Sequence, residues 1–249
     1  MGEIRAWERQ SGSKIFHGHP TALVGDEYGV KYRLSFIRNM PDSAGSTLDV
    51  GAGYGAYIST TPNSVGLEVQ RTLFSKRKAE LIRGVGETMP IRTGSCGRVF
   101  LFEVIEHVNN ESRVLQEIRR VLSPEGYLFL TAPNRFFPFE THGFQTSHKS
   151  FGNLLSVGIP FLSFFPNFVR RHVERARIYS QKDLVKLLQA NGYRVLKSGY
   201  MPPPLDKPKQ STIVNSARLV IETISRHPPF KQMGIACLIV AVPMKTERD

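Results

Sequence analysis

The stretch Ser46-Thr-Leu-Asp-Val-Gly-Ala-Gly-Tyr-Gly55 runs an apolar strand into a turn with glycine at every second position. Glycine enters left-handed backbone conformations at no steric cost and leaves the main chain bare. A helical signal restarts near Ala56, and the first turn of a helix has N–H groups with no partner inside the helix. Such a turn is built to meet a ligand, and it demands a sheet from whose edge it can project.

The rest of the chain supplies that sheet. Ser64–Val69, Ala79–Arg83, Arg98–Phe102 and Tyr127–Ala132 read as further strands. Arg71–Lys78 reads as a basic helix, and its charges Arg71, Lys76, Arg77 and Lys78 fit a solvated face. Glu111–Leu122 places Val114, Leu115, Ile118, Val121 and Leu122 on one helical face. Ser123-Pro-Glu-Gly126 reads as a turn. Strands alternating with helices predict a parallel sheet covered on both faces. The alternation pauses over Pro133–Tyr179, an aromatic, proline-containing stretch far longer than an ordinary loop. It resumes at Ser180, which forms a capping box with Asp183; Leu184, Val185, Leu187 and Leu188 make the apolar face, and Asn191-Gly192 ends that helix. Tyr193–Gly199 and Ile235–Val242 complete seven strands, with a second insertion and a helix near Thr212–Arg226 between them.

A chain of 249 residues buries a full core without staples. Its two cysteines, Cys96 and Cys237, make neither a disulfide framework nor a CxxC motif, which fits a reducing compartment. Residues Met1–Gln10 are charged and lack the apolar core of a secretory signal. Phe151–Phe168 carries no charge, but Pro160 and Pro166 would break a spanning helix, so it reads as an apolar lid or an interfacial segment. The net charge of +12 favours anionic partners without choosing among nucleic acid, an anionic membrane face and phosphorylated molecules.

Two alternatives remain at the glycine turn. A nicotinamide site wants its third glycine one position later, where Ala56 stands. A carboxylate at the end of the second strand, Glu68, suits the two hydroxyls of an adenosine ribose.

At these residues the sequence resembles the class I S-adenosylmethionine-dependent methyltransferases of the small type 11 kind, over about residues 45–132 and again at Ser180–Tyr200. Leu48-Asp-Val-Gly-Ala-Gly-Tyr-Gly55 resembles the family's cofactor loop, and Glu68 its ribose-binding acid. Gly84-Val-Gly-Glu-Thr-Met-Pro90 resembles the segment beside adenine, although Val85 stands where the family often has the Asp that accepts from the adenine amino group. Phe102-Glu-Val-Ile-Glu-His-Val108 and Ser123-Pro-Glu-Gly-Tyr-Leu-Phe-Leu130 resemble the next two family segments. The resemblance implies a doubly wound seven-stranded α/β sheet, Rossmann-like, with helices on both faces and an inserted cap. It implies one methyltransferase domain over 1–249, with an N-terminal helical extension at 1–45, the cap at 133–179 and a second insertion at 201–232. The cofactor-binding residues it implies are Asp49, Gly51, Ala52, Gly53, Glu68, Val69, Gly86, Glu87 and Phe102.

Glu103, Glu106 and His107 stand at i, i+3 and i+4, one face of a helical turn. Two carboxylates and an imidazole suit Mg²⁺ or Mn²⁺. The pattern also resembles that of the ubiquinone-biosynthesis O-methyltransferases and the small-RNA 2′-O-methyltransferases, which implies a metal on Glu103, Glu106, His107 and His142. Without a metal, Glu and His brace the turn, and His107 or His142 is left as a catalytic base. Glu140 and His148 lie on the same insert, and Asn134 is placed either to orient an acceptor or to shape a turn.

The expected activity is methylation of an oxygen on a lipophilic or phosphorylated small molecule. The alternatives are an RNA 2′-O-methyltransferase and a noncatalytic cofactor-binding scaffold. The insert's phenylalanines beside Arg170, Arg171, His172, Arg175 and Arg177 suit a substrate cap or peripheral contact with a lipid surface, and RNA stays open. The expected setting is cytoplasmic, or peripheral on the inner membrane face. The oligomeric state is not legible.

Overall fold

The computed structural model describes residues 27–38, 40–41, 43–70, 80–138, 177–202, 216, 220, 223–224, 227 and 230–244. Ten longer elements follow in order: α1 (Glu27–Arg38), β1 (Ser46–Val50), β2 (Ser64–Glu68), β3 (Leu81–Arg83), β4 (Cys96–Phe102), α2 (Glu111–Val121), β5 (Leu122–Pro133), α3 (Gln181–Ala190), β6 (Tyr193–Met201) and β7 (Ala236–Pro243). The strands form one seven-stranded sheet in the order β3-β2-β1-β4-β5-β7-β6. The pairs β1–β2, β1–β4 and β2–β3 are parallel. The fold is the doubly wound α/β architecture expected of the sequence.

The chain divides into two compact units. One comprises Met1–Leu130, Leu187–Lys197 and Ile239–Asp249, the other Thr131–Lys186 and Ser198–Leu238. In the first unit the strand pleat sorts side chains to two faces. Asp49 of β1 is in register with Phe100 of β4, and Leu48 with Val99. Phe100 packs with Ile37 of α1, Phe129 and Val240. On the opposite face, Val50 lies near Gly86, and Gly86 meets Val114 of α2. α1 and α2 therefore cover opposite faces, and Asp49 points to the α1 side. α2 starts at Asn110, whose side chain accepts from the Arg113 N–H, and buries Val114, Leu115, Ile118 and Val121. Tyr193 is fully buried, and its hydroxyl donates to the Leu115 carbonyl at 2.7 Å.

In the second unit the expected capping box is present. The Asp183 N–H donates to Ser180 Oγ at 3.1 Å, and Ser180 Oγ donates to the Asp183 carboxylate at 2.7 Å. Leu184 and Leu188 are buried. Gly192 follows α3 with φ of 79°, a left-handed stop. The Asn134 amide donates to the carbonyls of Gln232 (2.7 Å) and Gly234 (2.6 Å), so its role here is to shape the turn after β5.

Two expected elements differ. Ser123–Gly126 is not a separate turn, because the backbone is already extended at Leu122 (φ −65°, ψ 138°) and Pro124 disfavours helix at Ser123. The helix expected from Ala56 is only a three-residue 3₁₀ turn, Ile58–Thr60. Hydroxyls take its carbonyls: Thr60 Oγ1 and Thr61 Oγ1 donate to Tyr57, Ser59 Oγ to Ala56 and Ser64 Oγ to Ile58, and Pro62 has no N–H to extend it. The basic helix Arg71–Lys78, the uncharged stretch Phe151–Phe168, most of the 133–179 insert and most of Thr212–Arg226 lie outside the described residues. Among the described residues no helix is long and apolar enough to cross a membrane.

Candidate active site

The glycine turn leaves β1 in left-handed steps, with φ of 73° at Gly51, 56° at Gly53 and 83° at Gly55. A Cβ on Gly51 would collide with Val104, whereas one on Gly53 would meet no atom within 4 Å. Gly51 is therefore required for packing, and Gly53 borders open space that a ligand can enter. Ala52 belongs to the core with Ile58 and Leu81.

Glu68 sits where expected, at the end of β2 and 6% exposed. Its Oε2 accepts the Gly53 N–H at 2.9 Å, and its Oε1 accepts the N–H groups of Val69 and Gln70, each at 2.8 Å. A carboxylate offers about four acceptor positions. Three are occupied, so taking both ribose hydroxyls requires the release of one backbone N–H.

The Gly84–Thr93 segment follows β3. Val85 is buried, so an apolar side chain fills the slot where the resemblance expects an acid. Gly86 packs against Val114 and Val50. Glu87 accepts the Asn109 N–H at 3.2 Å on its side chain and the Arg113 Nε–H at 3.2 Å on its carbonyl. Phe102 stacks on Phe100 with centroids 5.2 Å apart and meets Tyr57 edge-on at 4.8 Å.

The backbone leaves β4 through Glu103 at φ 55°, a conformation non-glycine residues rarely adopt and one that costs of order 1–3 kcal/mol. Residues Ile105–His107 then form a turn, closed by the His107 N–H on the Val104 carbonyl. This overturns the helical face expected for Glu103, Glu106 and His107. Glu103 Oε1 receives Arg33 Nη2 at 3.0 Å. Glu106 is buried, 3.7 Å from His107 Nε2. Burial, reinforced by the nearby Glu103 charge, holds the Glu106 carboxyl well above its ordinary pKa. Among the described residues no three His, Cys, Asp or Glu side chains converge as the donors of a metal ion would. Glu140, His142 and His148 lie outside the described residues. The described residues alone do not assemble the Mg²⁺ or Mn²⁺ site expected from the spacing, whose fourth ligand, His142, is not among them.

Arg33 and Tyr57 join the site, although the sequence reading singled out neither. Arg33 of α1 is 4% exposed; its Nη1 donates to Tyr57 Oη at 2.9 Å, and its guanidinium lies 5.7 Å from the Phe102 ring centroid. Burial works against its charge, and the Tyr57 and Glu103 oxygens outweigh burial. Gly29, Arg33 and Ile37 occupy the buried i, i+4, i+8 positions of α1, and only the burial seen in the fold separates Arg33 from a solvated basic residue. Asp49 is fully enclosed. Burial, with the Glu68 charge beside it, pushes its carboxyl up to about 8, and Arg33 moderates the effect. Burial also pushes the Tyr57 phenol up to about 12. Among the described residues neither Asp49 Oδ2 nor Arg33 Nε has a hydrogen-bond partner, and both are buried.

Residues 48–130 match the family model of a methyltransferase domain. This segment is similar to a methyltransferase domain. It contains the glycine turn, Glu68, the Gly84–Thr93 segment and the Glu103–His107 turn. Solved structures of the same fold include an S-adenosylmethionine-dependent methyltransferase from Thermotoga maritima, 15% identical, covering 97% of this chain and 94% of that one with a TM-score of 0.56. Another comes from a complex of the Haloferax volcanii Trm112 methyltransferase activator with a methyltransferase; it is 16% identical, covers 98% and 95%, and has a TM-score of 0.59. A third, an S-adenosylmethionine-dependent methyltransferase from Archaeoglobus fulgidus, is 14% identical, covers 86% and 92%, and has a TM-score of 0.54. At these identities the likeness is one of fold. No curated protein sequence matches the chain.

Proposed function

We propose that this methyltransferase binds S-adenosylmethionine over the glycine turn and methylates an oxygen of a lipophilic or phosphorylated small molecule. One observation carries the cofactor assignment. Asp49 Oδ2 and Arg33 Nε, one acid and one base, are buried and without a hydrogen-bond partner among the described residues, and a Cβ on Gly53, past the end of β1, would meet no atom within 4 Å. Buried polar atoms of this kind are costly unless something binds them. The methionine end of the cofactor is a zwitterion, with an ammonium for Asp49 and a carboxylate for Arg33. Glu68 faces the ribose, and the backbone near Gly86 and Glu87 faces adenine. None of these contacts needs a phosphate seat, which a three-residue 3₁₀ turn does not provide.

When bound, S-adenosylmethionine supplies a methyl group on a positive sulfur, and transfer is an in-line displacement governed by alignment. In this reading His107, which is partly exposed, takes the acceptor's hydroxyl proton. Support for an amphiphilic acceptor comes from the second unit. The exposed residues Val220, Ile224, His227 and Phe230 recur at spacings of four, three and three, with Lys231 next in line. Those exposed apolar side chains and the net charge of +12 suit an anionic, lipid-like molecule and peripheral contact with the membrane that carries it.

The test is to incubate the protein and a cell extract with methyl-labelled S-adenosylmethionine and to separate lipid, RNA and protein. Label in the organic phase supports the proposal. Label in RNA moves the assignment to an RNA 2′-O-methyltransferase. Binding without transfer to any fraction leaves a scaffold.

A further inference from the structure

We infer that Glu117 and Arg120 of α2 form a fork that positions the Gly84–Thr93 loop for the adenine ring, so that they govern cofactor affinity without touching the cofactor. The inference rests on the reading that S-adenosylmethionine binds with adenine at Gly86–Glu87. The loop is not part of the sheet. Beyond the Gly84 N–H on the Glu68 carbonyl at 3.2 Å and the narrow bridge between Val85 and Thr88, its backbone must find partners elsewhere, and Pro90 has no N–H to offer.

The fork supplies those partners. Glu117 Oε2 accepts the Met89 N–H at 2.8 Å, and Arg120 Nη2 donates to the Met89 carbonyl at 3.0 Å, so both backbone groups of one residue are gripped. Arg120 Nη1 donates to the Ile91 carbonyl at 2.9 Å and to Thr93 Oγ1 at 3.1 Å. The Gly94 N–H closes on the Arg120 carbonyl at 2.9 Å. The two side chains also lock each other, with Arg120 Nε and Nη2 each 2.9 Å from a Glu117 oxygen, a bidentate pair of the strong kind. The Arg120 hydrogen bond pulls the Glu117 carboxyl below its ordinary range, so the carboxylate stays charged and accepting.

The other end of the loop is held by the same helix. Val114 packs on Gly86, and Arg113 Nε donates to the Glu87 carbonyl. Residues 113, 117 and 120 are spaced by four and three, one face of α2. That single face sets the distance between the two ends of the loop, and thereby the place of the Gly86–Glu87 backbone. Lysine cannot replace the fork, because its three donors radiate from one point and cannot span Met89, Ile91 and Thr93 together.

The experiment is calorimetric titration of wild-type protein, Arg120→Lys, Glu117→Gln and Arg119→Ala with S-adenosylmethionine and with 5′-methylthioadenosine, which keeps adenine and ribose and lacks the amino-acid end. Arg119 is the control, as its Nη2 donates to the Met244 carbonyl, away from the loop. Arg120→Lys and Glu117→Gln should weaken both ligands by the same factor, about tenfold, the size expected for lost charged hydrogen bonds. The KM for S-adenosylmethionine should rise while kcat at saturation holds, and Arg119→Ala should bind normally. Hydrogen exchange gives a second readout in the wild type, where the Met89 amide should be protected, and in Arg120→Lys, where it should exchange faster. Wild-type protein that binds both ligands, with unchanged affinity in folded Arg120→Lys, overturns the fork alone. A fall in kcat at constant KM also overturns it. Wild-type protein that binds neither ligand overturns the cofactor reading, and the fork with it.

Discussion

If the ammonium of S-adenosylmethionine sits on Asp49, as proposed, cofactor binding is linked to pH. In the free protein the Asp49 carboxyl titrates at about 8, raised from 3.8 by burial and by the facing Glu68, with Arg33 as the opposing charge. Below pH 8 the site therefore holds a neutral acid. A bound ammonium requires the carboxylate, so binding must expel one proton. At pH 7 that costs about 1.4 kcal/mol, and each further unit downward costs the same again, a tenfold loss of affinity per unit. The ligand's own amino group titrates near 8, so the clean window is about pH 5–7. Folding shows the matching sign. The free folded protein keeps a proton that the unfolded chain has lost between about pH 4 and 8, so this group's contribution to stability falls as pH rises through that window and is flat above it. Calorimetry in two buffers of different ionisation enthalpy, at pH 6 and 7, should show release of close to one proton and a slope of one log unit in Kd per pH unit. Asp49→Asn, which holds no titrating proton, should abolish both. Equal Kd at pH 5.5 and 7 in the wild type, or a slope that persists in Asp49→Asn, refutes the argument.

Other outcomes follow from the same geometry. Gly53→Val puts a branched side chain at φ 56° into the open space and should abolish S-adenosylmethionine binding in calorimetry while the protein still melts cooperatively. Glu68→Ala removes the acceptor of three backbone N–H groups as well as the ribose contact, so affinity should fall by about 1.5–3 kcal/mol, and hydrogen exchange at Gly53 should quicken. His107→Ala should remove a step near pH 6.5 from the pH–rate profile without changing S-adenosylmethionine affinity; a step that persists assigns the base elsewhere. Tyr193→Phe deletes a buried hydroxyl bonded to Leu115 and should lower stability by about 1 kcal/mol, or roughly 2–4 °C in Tm, with activity intact.

Features set by neighbours in sequence were legible. The glycine turn, the end of β2 at Glu68 and the Ser180–Asp183 cap depend on residues a few positions apart. The α2 face follows from apolar spacing alone. The helical turn expected over Glu103–His107 is replaced by a bend and a turn because spacing carries no backbone angle, and Glu103 is left-handed. The helix expected after the turn failed because Ser59, Thr60 and Thr61 compete for its carbonyls, a local chemistry the apolar pattern ignores. Arg33 was hidden for a different reason. Its partner Glu103 is 70 positions away, and a basic residue on a helix reads as solvated until the fold buries it.

The left-handed Glu103 and the buried Arg33 are tied to one another. A glycine at 103 would adopt φ 55° freely and recover about 1–3 kcal/mol of strain, yet it would leave Arg33 buried without its carboxylate, which costs about 3–5 kcal/mol. The awkward angle is therefore inherited with the charge it serves. Screens for heat resistance should discard Glu103→Gly alone and admit a glycine there only together with an uncharged replacement of Arg33.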